Sequence, residues 1–204
     1  MAEKIKLNKT ALKKQRDALA KFQKFLPILV LKKMQLQLVL RQLEPVIDAK
    51  RSELEKTMDG IRPWAHLLAD PDVDIRDYVQ MDEIITRQDN VAGVEVPEFD
   101  NVVFQDVEYS LFATPTWLDV AVDSLKTMVS LKAELTVLRD RESLLREELR
   151  RTAQRVNLFE KRLIPDLKED IRRIKIFLGD EETAAVGRAK LAKSKLSALE
   201  ELNP

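Results

Sequence analysis

Apolar residues recur every seven positions along the first third of the chain. One such series begins at Leu12 and is apolar at eight of its nine positions. It consists of Leu12, Leu19, Leu26, Lys33, Leu40, Ile47, Leu54, Ile61 and Leu68. A second series runs beside it through Phe22, Leu29, Leu36 and Leu43. Because a 3-4 repeat sustained over this many heptads is typical of a coiled coil, we predict one long helix over residues 8–68.

The same pattern returns in the last part of the chain. Its two series are Ala121, Met128, Leu135, Glu142, Leu149, Val156 and Leu163, partnered by Leu131, Leu138, Leu145 and Phe159. Beyond Leu163 the spacing changes to four-residue steps, at Leu167 and Ile171, which is a stutter that locally unwinds a supercoil. Two helices of similar length joined by a compact connection pack antiparallel. The fold class predicted is therefore mainly α, a long antiparallel two-helix coiled coil.

The segment between the two helices loses the heptad pattern. Residues 70–116 mix short β-branched runs with Gly93 and Pro97, which favours a β-hairpin or a small sheet. We therefore predict three parts. Residues 1–69 form the first coiled-coil helix, residues 70–116 an acidic insert with a short β-hairpin, and residues 117–204 the second coiled-coil helix with a basic tail.

Three residues stand out inside the predicted helices. Pro27 and Pro165 each remove a backbone hydrogen bond, which kinks a helix without necessarily ending it. If Leu68 meets residue 124, the two prolines lie at one level of the coil, where we predict a bend; the alternative is that Pro165 is tolerated on an outward face. Asn157 is one position off the apolar series, yet it is a candidate for fixing the register of the coil, as a buried asparagine can.

Composition narrows the function classes. Charged residues make up 34% of the chain and aromatic residues 5%, and there is no cysteine, so a disulfide framework is excluded. No apolar run approaches the roughly 18 residues of a membrane span, so we expect no membrane insertion and a cytoplasmic location. The zero net charge hides an asymmetry: residues 1–41 are basic, residues 59–123 acidic, and residues 124–204 mildly basic again.

Groups that carry catalysis are not evident in the sequence. It contains no GxxxxGK motif, and His66, its one histidine, is expected to be packed or at the surface. We expect no catalytic residue, no metal and no cofactor, and therefore no enzyme. Phe22 and Phe25 lie near the coil interface and the connecting region is acidic, so we also expect no nucleic acid partner. The interpretation that remains is a mechanical or scaffolding protein.

Three stretches carry a resemblance to a known family. "RVNLFEKRLIPDLKEDIRRIKIFLGDEE", "DNVAGVEVPEF" and "LNKTALKKQRDALAKFQKFLPILVLKK" are similar to motifs of the D subunits of V-type and archaeal-type rotary ATPases. The matched residues of the first are Arg155, Val156, Asn157, Phe159, Glu160, Ile164, Pro165, Leu167, Ile171, Ile174 and Leu178. The matched residues of the second are Asn90, Val91, Ala92, Gly93, Val94, Pro97 and Phe99. One departure is Met34-Gln35, where many members carry a Lys-Arg pair.

The resemblance implies a non-catalytic central-stalk rotor. Such a rotor couples ATP hydrolysis or synthesis in the catalytic head to H⁺ or Na⁺ transport through the membrane ring. Its implied partners are the catalytic and regulatory A and B subunits of the head, the F subunit of the stalk, and the socket subunit on the membrane ring. These partners would place it in the cytoplasm, peripheral to the membrane. Two alternatives stay open: a coiled-coil adaptor with no rotary role, and a rotor like the F-type gamma subunit, whose insert is a larger α/β domain.

The insert is the predicted contact with the F subunit of the stalk. Val91, Val94, Val96 and Phe99 are too many apolar residues for so small a unit to bury, and exposed apolar patches usually mark interfaces. The candidate partner-binding residues are Asn90, Val91, Gly93, Val94, Pro97 and Phe99.

Overall fold

Two long helices and a two-stranded antiparallel sheet make up the fold, which confirms the predicted class. The computed structural model describes residues 6–69, 74–107 and 114–200. The elements are α1 (Lys9–Ile61), 3-10 helices at Arg62–Ala69 and Ile75–Tyr78, β1 (Met81–Val91), β2 (Val94–Phe104), α2 (Leu118–Leu158), a π-helical turn (Phe159–Leu163) and α3 (Ile164–Glu200). Parts of the predicted insert and basic tail, at 70–73, 108–113 and 201–204, lie outside the described residues.

The heptad series mark the packed faces of the helices correctly. Every position named in the four series is buried or half-buried, including Lys33 and Glu142. The most enclosed of them are Leu36 and Leu145, whose side chains are both fully buried. Burying a leucine fully stabilises a fold by roughly 1.5–3 kcal/mol. The apolar series therefore account for the packing of the helices.

Local signals explain where α1 begins and ends. Asn8 precedes the helix, and its Oδ1 accepts a hydrogen bond of 2.7 Å from the backbone N–H of Ala11, as an N-cap does. The helix was predicted to reach residue 68, but it ends at Ile61 and continues as the 3-10 helix Arg62–Ala69. Pro63 explains the difference, because proline has no N–H for an α-helical bond and its ring would clash with the carbonyl of Asp59.

The chain forms two compact units. One contains residues 1–31 and 153–204, and the other contains residues 32–152. In the first unit the rings of Phe22 and Phe159 meet with their centroids 4.7 Å apart and their planes tilted by 59°. Within this unit, the contact between the two rings shows which residues of α1 lie opposite which residues of the 153–204 segment.

The two prolines do not share a level, so that prediction was wrong. Pro27 lies five residues beyond Phe22, and Pro165 lies six residues beyond Phe159. Because the two chain directions are opposite, the prolines are about eleven residues apart along the coil, roughly 16 Å at 1.5 Å per residue. The prediction rested on Leu68 meeting residue 124. Instead, Gly60 lies with Ser124 around one surface depression.

The π-helical turn Phe159–Leu163 explains how the long helix tolerates Pro165. Within it the backbone N–H of Ile164 donates to the carbonyl of Phe159, five residues earlier. The wider turn gives room for a proline ring two residues later, where an α-helical turn would bring the ring against the preceding carbonyl. The turn also coincides with the stutter, because Phe159, Leu163, Leu167 and Ile171 are spaced by three consecutive four-residue steps. One extra residue per turn keeps all four on the packed face.

Asn157 does not lie on the packed face of the helix. Its side chain is exposed, as are those of Pro27 and Pro165. A buried asparagine fixes register because its amide must find a partner inside the coil. An exposed one is solvated, so the structure corrects the register role predicted for Asn157. The exposure of Pro165 agrees with the alternative of an outward-facing proline, although the helix changes its hydrogen bonding to accommodate it.

Candidate functional site

A two-residue turn forms the tip of the β-hairpin. Ala92 and Gly93 both have positive φ, 51° and 76°, and Val91 pairs directly with Val94. Positive φ at both central residues is the geometry that matches the right-handed twist of the flanking strands. The Oδ1 of Asn90 accepts a hydrogen bond of 3.0 Å from the backbone N–H of Gly93, which closes the turn. Asn90 and Gly93 are thus explained by the shape of the turn itself.

We expect alanine to have opposite effects at two glycines of the chain. Gly93→Ala should lower the free energy of unfolding by about 1 kcal/mol, because an L-residue is strained in the left-handed region. Gly187→Ala is the matched control. Gly187 lies in the interior of α3, with nothing within 4 Å of an added Cβ, so the change should raise stability by about 1 kcal/mol. Urea unfolding measures the free energy of unfolding of both variants. A change of the same sign in both would contradict the backbone strain assigned to position 93.

The tip of the hairpin packs onto the helices. Val96 is fully buried in a cluster with four leucines: Leu36, Leu40 and Leu43 of α1, and Leu145 of α2. Val91, Ala92 and Val94 pack against this cluster from the turn and its flanks. Three elements therefore share one hydrophobic core, and the hairpin supplies one side of it.

This packing contradicts the argument that the insert needs a partner to cover its apolar residues. The hairpin was expected to leave its apolar residues exposed because a small unit cannot enclose them. The helices cover most of them instead: Val96 is buried, and Val91 and Val94 pack against the same core, whereas Phe99 is only half-buried. Asn90 and Gly93 are set by the turn, and Pro97 is half-buried. The candidate residues thus divide into a tip held by the chain itself and the half-buried Pro97 and Phe99.

A second buried face of α2 lies under the hairpin. Lys126 Nζ lies 5.7 Å from the ring centroid of Phe104, at the base of the hairpin. Arg141 Nη2 donates a 2.7 Å hydrogen bond to Oδ2 of Asp89, near the tip. Ala133 and Val137 share this helix face by their spacing and are 6% exposed each, although neither belongs to the heptad series. The hairpin therefore runs alongside α2 with its base near Lys126 and its tip near Arg141.

Cross-helix ion pairs lie partly enclosed on this unit. Lys32 Nζ is 2.8 Å from Oε1 of Glu148, and Lys50 Nζ is 3.0 Å from Oε2 of Glu134. The hydrogen bond with Glu134 is the main cause that raises the pKa of Lys50, against a smaller opposing effect of burial. The Arg141–Asp89 pair is similarly shielded, with the arginine side chain 17% exposed. Opposite charges at three levels therefore fix how the helices and the hairpin align.

The described residues give little basis for reactive chemistry. His66 is exposed in the 3-10 helix that follows α1. Among the residues described, no group of three or more histidine, aspartate or glutamate side chains is arranged to hold a metal ion. Within those same residues, no helix combines the length and the apolar character needed to cross a membrane.

The fold defines the class of this protein. It is an antiparallel pair of long helices with a β-hairpin packed against them. The family model for the D subunit of ATP synthase matches residues 11–194. The V-type ATP synthase D subunit of Borreliella burgdorferi is 40% identical over 193 residues, 95% of each chain. That of Chlamydia felis is 35% identical over 96% of this chain and 95% of its own. The Chlamydia muridarum protein is 36% identical over 96% and 98%. The chain belongs to the ATP synthase D-subunit family.

Proposed function

We propose that this chain is the central-stalk rotor of a V-type ATP synthase. In this role it turns within the catalytic head and couples ATP hydrolysis or synthesis to the transport of H⁺ or Na⁺ through the membrane ring. The observation that carries the proposal is the pair of long helices with packed faces along their whole apolar series, in a chain whose relatives are named as the D subunit of V-type ATP synthase. We propose no catalytic group on this chain.

The physical features suit a part that transmits torque. Twisting must be resisted along the helices, and close-packed interiors transmit strain well. The shared core of α1, α2 and the hairpin and the two cross-helix pairs, Lys32–Glu148 and Lys50–Glu134, resist sliding of one helix past the other. The basic N-terminal segment suits an acidic surface inside the head. Exposed ion pairs are weak, so the segment can exchange partners at each step of the rotation.

The partners proposed are other subunits of the same complex. They are the A and B subunits of the head, the F subunit of the stalk, and the socket subunit on the membrane ring. The chain would then lie in the cytoplasm, peripheral to the membrane through the complex. For the F subunit we propose the reachable part of the hairpin, with Pro97 and Phe99 as the apolar contacts and Asn90 and Gly93 at the rim.

We expect Phe99→Asp to weaken the binding of the F subunit by about tenfold, because it places a charge where an apolar contact is needed. Met58→Asp is the control: it adds the same charge at an exposed apolar side chain of α1. Titration calorimetry with the purified F subunit measures both. Equal affinities for the two variants and the wild-type chain would remove the hairpin as the contact.

The rotor role is tested by rotation itself. The chain, with a bead attached through the exposed position 66, is assembled with its ATPase subunits on a surface and supplied with ATP. We expect continuous one-directional rotation at a rate that follows ATP turnover. ATP turnover with a stationary bead would exclude the rotor role and favour a coiled-coil adaptor.

A further inference from the structure

A basic depression lies between the beginning of α1 and the middle of α3, inside the unit of residues 1–31 and 153–204. Its volume is about 650 Å³, within the roughly 300–1,000 Å³ that is usual for small-ligand sites. Leu12 and Leu178 supply apolar surface in it, and Gly179 leaves a gap, because an added Cβ there would meet nothing within 4 Å. The depression therefore has room for a small ligand.

Each helix contributes three lining residues at spacings of three and four, which place them on one face. They are Lys9, Lys13 and Arg16 on α1 and Lys175, Gly179 and Glu182 on α3. Lys9 Nζ lies 3.4 Å from Oε1 of Glu182, and this ion pair shows which residues of the two helices face each other. Because the helices are antiparallel, Lys13 then falls opposite Gly179, and Arg16 falls opposite Lys175.

Three cations of the depression are left without a carboxylate. Lys13, Arg16 and Lys175 are exposed and make no ion pair among the residues that the structure describes. Lys13 faces the gap at Gly179, and Arg16 faces a like charge, which is unfavourable unless an anion lies between the two. With Asp17 counted, the described lining carries four cations against two carboxylates, a net charge of +2.

We propose that this depression binds a phosphate group, which lies between Arg16 and Lys175 and is contacted by Lys13 across the gap at Gly179. The guanidinium of Arg16 can donate two parallel hydrogen bonds to phosphate oxygens, and the lysines add positive charge. Because phosphate carries its charge on several oxygens, it can contact the three cations at once. The group can come from inorganic phosphate or from the phosphate chain of a nucleotide. Binding by the free chain does not depend on the rotor role.

Titration calorimetry of the full chain with inorganic phosphate at low ionic strength tests the proposal. Arg16→Gln and Lys175→Gln should each weaken the binding of phosphate by about tenfold. Lys24→Gln is the control, because it removes the same charge from an exposed position of α1 outside the lining; it should change the affinity by less than about twofold. No binding to the wild-type chain, or the same affinity in all three variants, would overturn the proposal.

Two substitutions of Gly179 supply an independent readout. Gly179→Glu should weaken phosphate binding by more than about tenfold, because the new carboxylate enters the gap and pairs with the cations around it. Gly179→Ala should keep phosphate binding, since a methyl group has room there and alanine suits a helix interior. Circular dichroism checks that both variants fold. Wild-type affinity in the folded Gly179→Glu chain would contradict a site at this position.

Other anions distinguish the sources of the phosphate group. Pyrophosphate and ADP are titrated without divalent metal. ADP binding about tenfold more tightly than pyrophosphate would identify a nucleotide as the ligand, and equal affinities would identify a free phosphate. Acetate binding as tightly as phosphate would overturn the assignment to phosphate and leave a site for a carboxylate. A chain that binds phosphate as predicted but does not rotate in the assembled ATPase would contradict the proposed function alone.

Discussion

Leu145→Ala is expected to lower the free energy of unfolding by about 3 kcal/mol. Leu145 has no exposed surface and lies in the core that α1, α2 and the hairpin share, so the lost side chain leaves a cavity that three elements would have to fill together. For a chain of this size, the loss corresponds to a fall of roughly 6–12 °C in the melting temperature.

Leu144→Ala is the control that isolates burial. Leu144 is the neighbouring residue on the same helix but is 42% exposed, so the same substitution should cost about 0.5 kcal/mol or less. The difference between the two variants removes the shared change in helix propensity. Circular dichroism during thermal and urea unfolding measures both. Similar losses for the two variants would show that the three-element core is not packed as described.

The heptad pattern predicts the helices well because it depends on local geometry. Spacings of three and four residues place side chains on one face of any α-helix, so the series from Leu12 and from Ala121 identify the packed faces without knowledge of the partner. The β-hairpin is also predictable, since Gly93 and the β-branched runs around it mark a turn between strands. These signals are all contained within short stretches of sequence.

The position of the hairpin on the helices is not predictable in the same way. The apolar residues of β2 indicate that something covers them, but not whether it is a partner or the chain's own helices. The sequence of α2 contains one indication that its own surface covers the hairpin: Ala133 and Val137 are apolar and lie outside the heptad series. The prediction that the two prolines share one level was wrong for a related reason. It depended on where α1 ends, and Pro63 ends the α-helix before Leu68.

The second large effect is expected from removing single residues from the long second helix. Deleting Lys132 rotates the following part of α2 by about 100° relative to the part before it. The rotation turns the half-buried Leu138 and the buried Leu135 and Leu145 off the packed face, at about 2 kcal/mol for each of the two buried side chains. We therefore expect a fall of more than about 10 °C in the melting temperature, or failure to fold.

Deleting Lys161 together with Pro165→Ala should have the opposite result. Lys161 is also an exposed lysine, but it lies in the π-helical turn, which holds one residue more than an α-helical turn. The deletion lets the turn become α-helical while Ile171 and Ile174 keep their face, and alanine removes the ring that would clash there. One or two restored backbone hydrogen bonds should raise stability by about 1 kcal/mol, or roughly 2–4 °C. Loss of stability comparable to the Lys132 deletion would mean that the turn does not absorb an extra residue.

The same double variant tests whether the π-helical turn serves rotation. We propose that the turn, with Pro165 preventing its return to a regular helix, gives the coil a local change of geometry that different surrounding subunits meet as the shaft turns. A regular helix at this level should then be equally or more stable but transmit rotation less well. In the reassembled complex we expect slower ATP-driven rotation, or ATP turnover that no longer follows rotation. Pro165→Ala alone should have a smaller effect on rotation, because it restores a backbone donor but leaves the extra residue in the turn. Unchanged rotation and unchanged coupling in the double variant would leave Pro165 as a proline tolerated on an outward face, with no mechanical role.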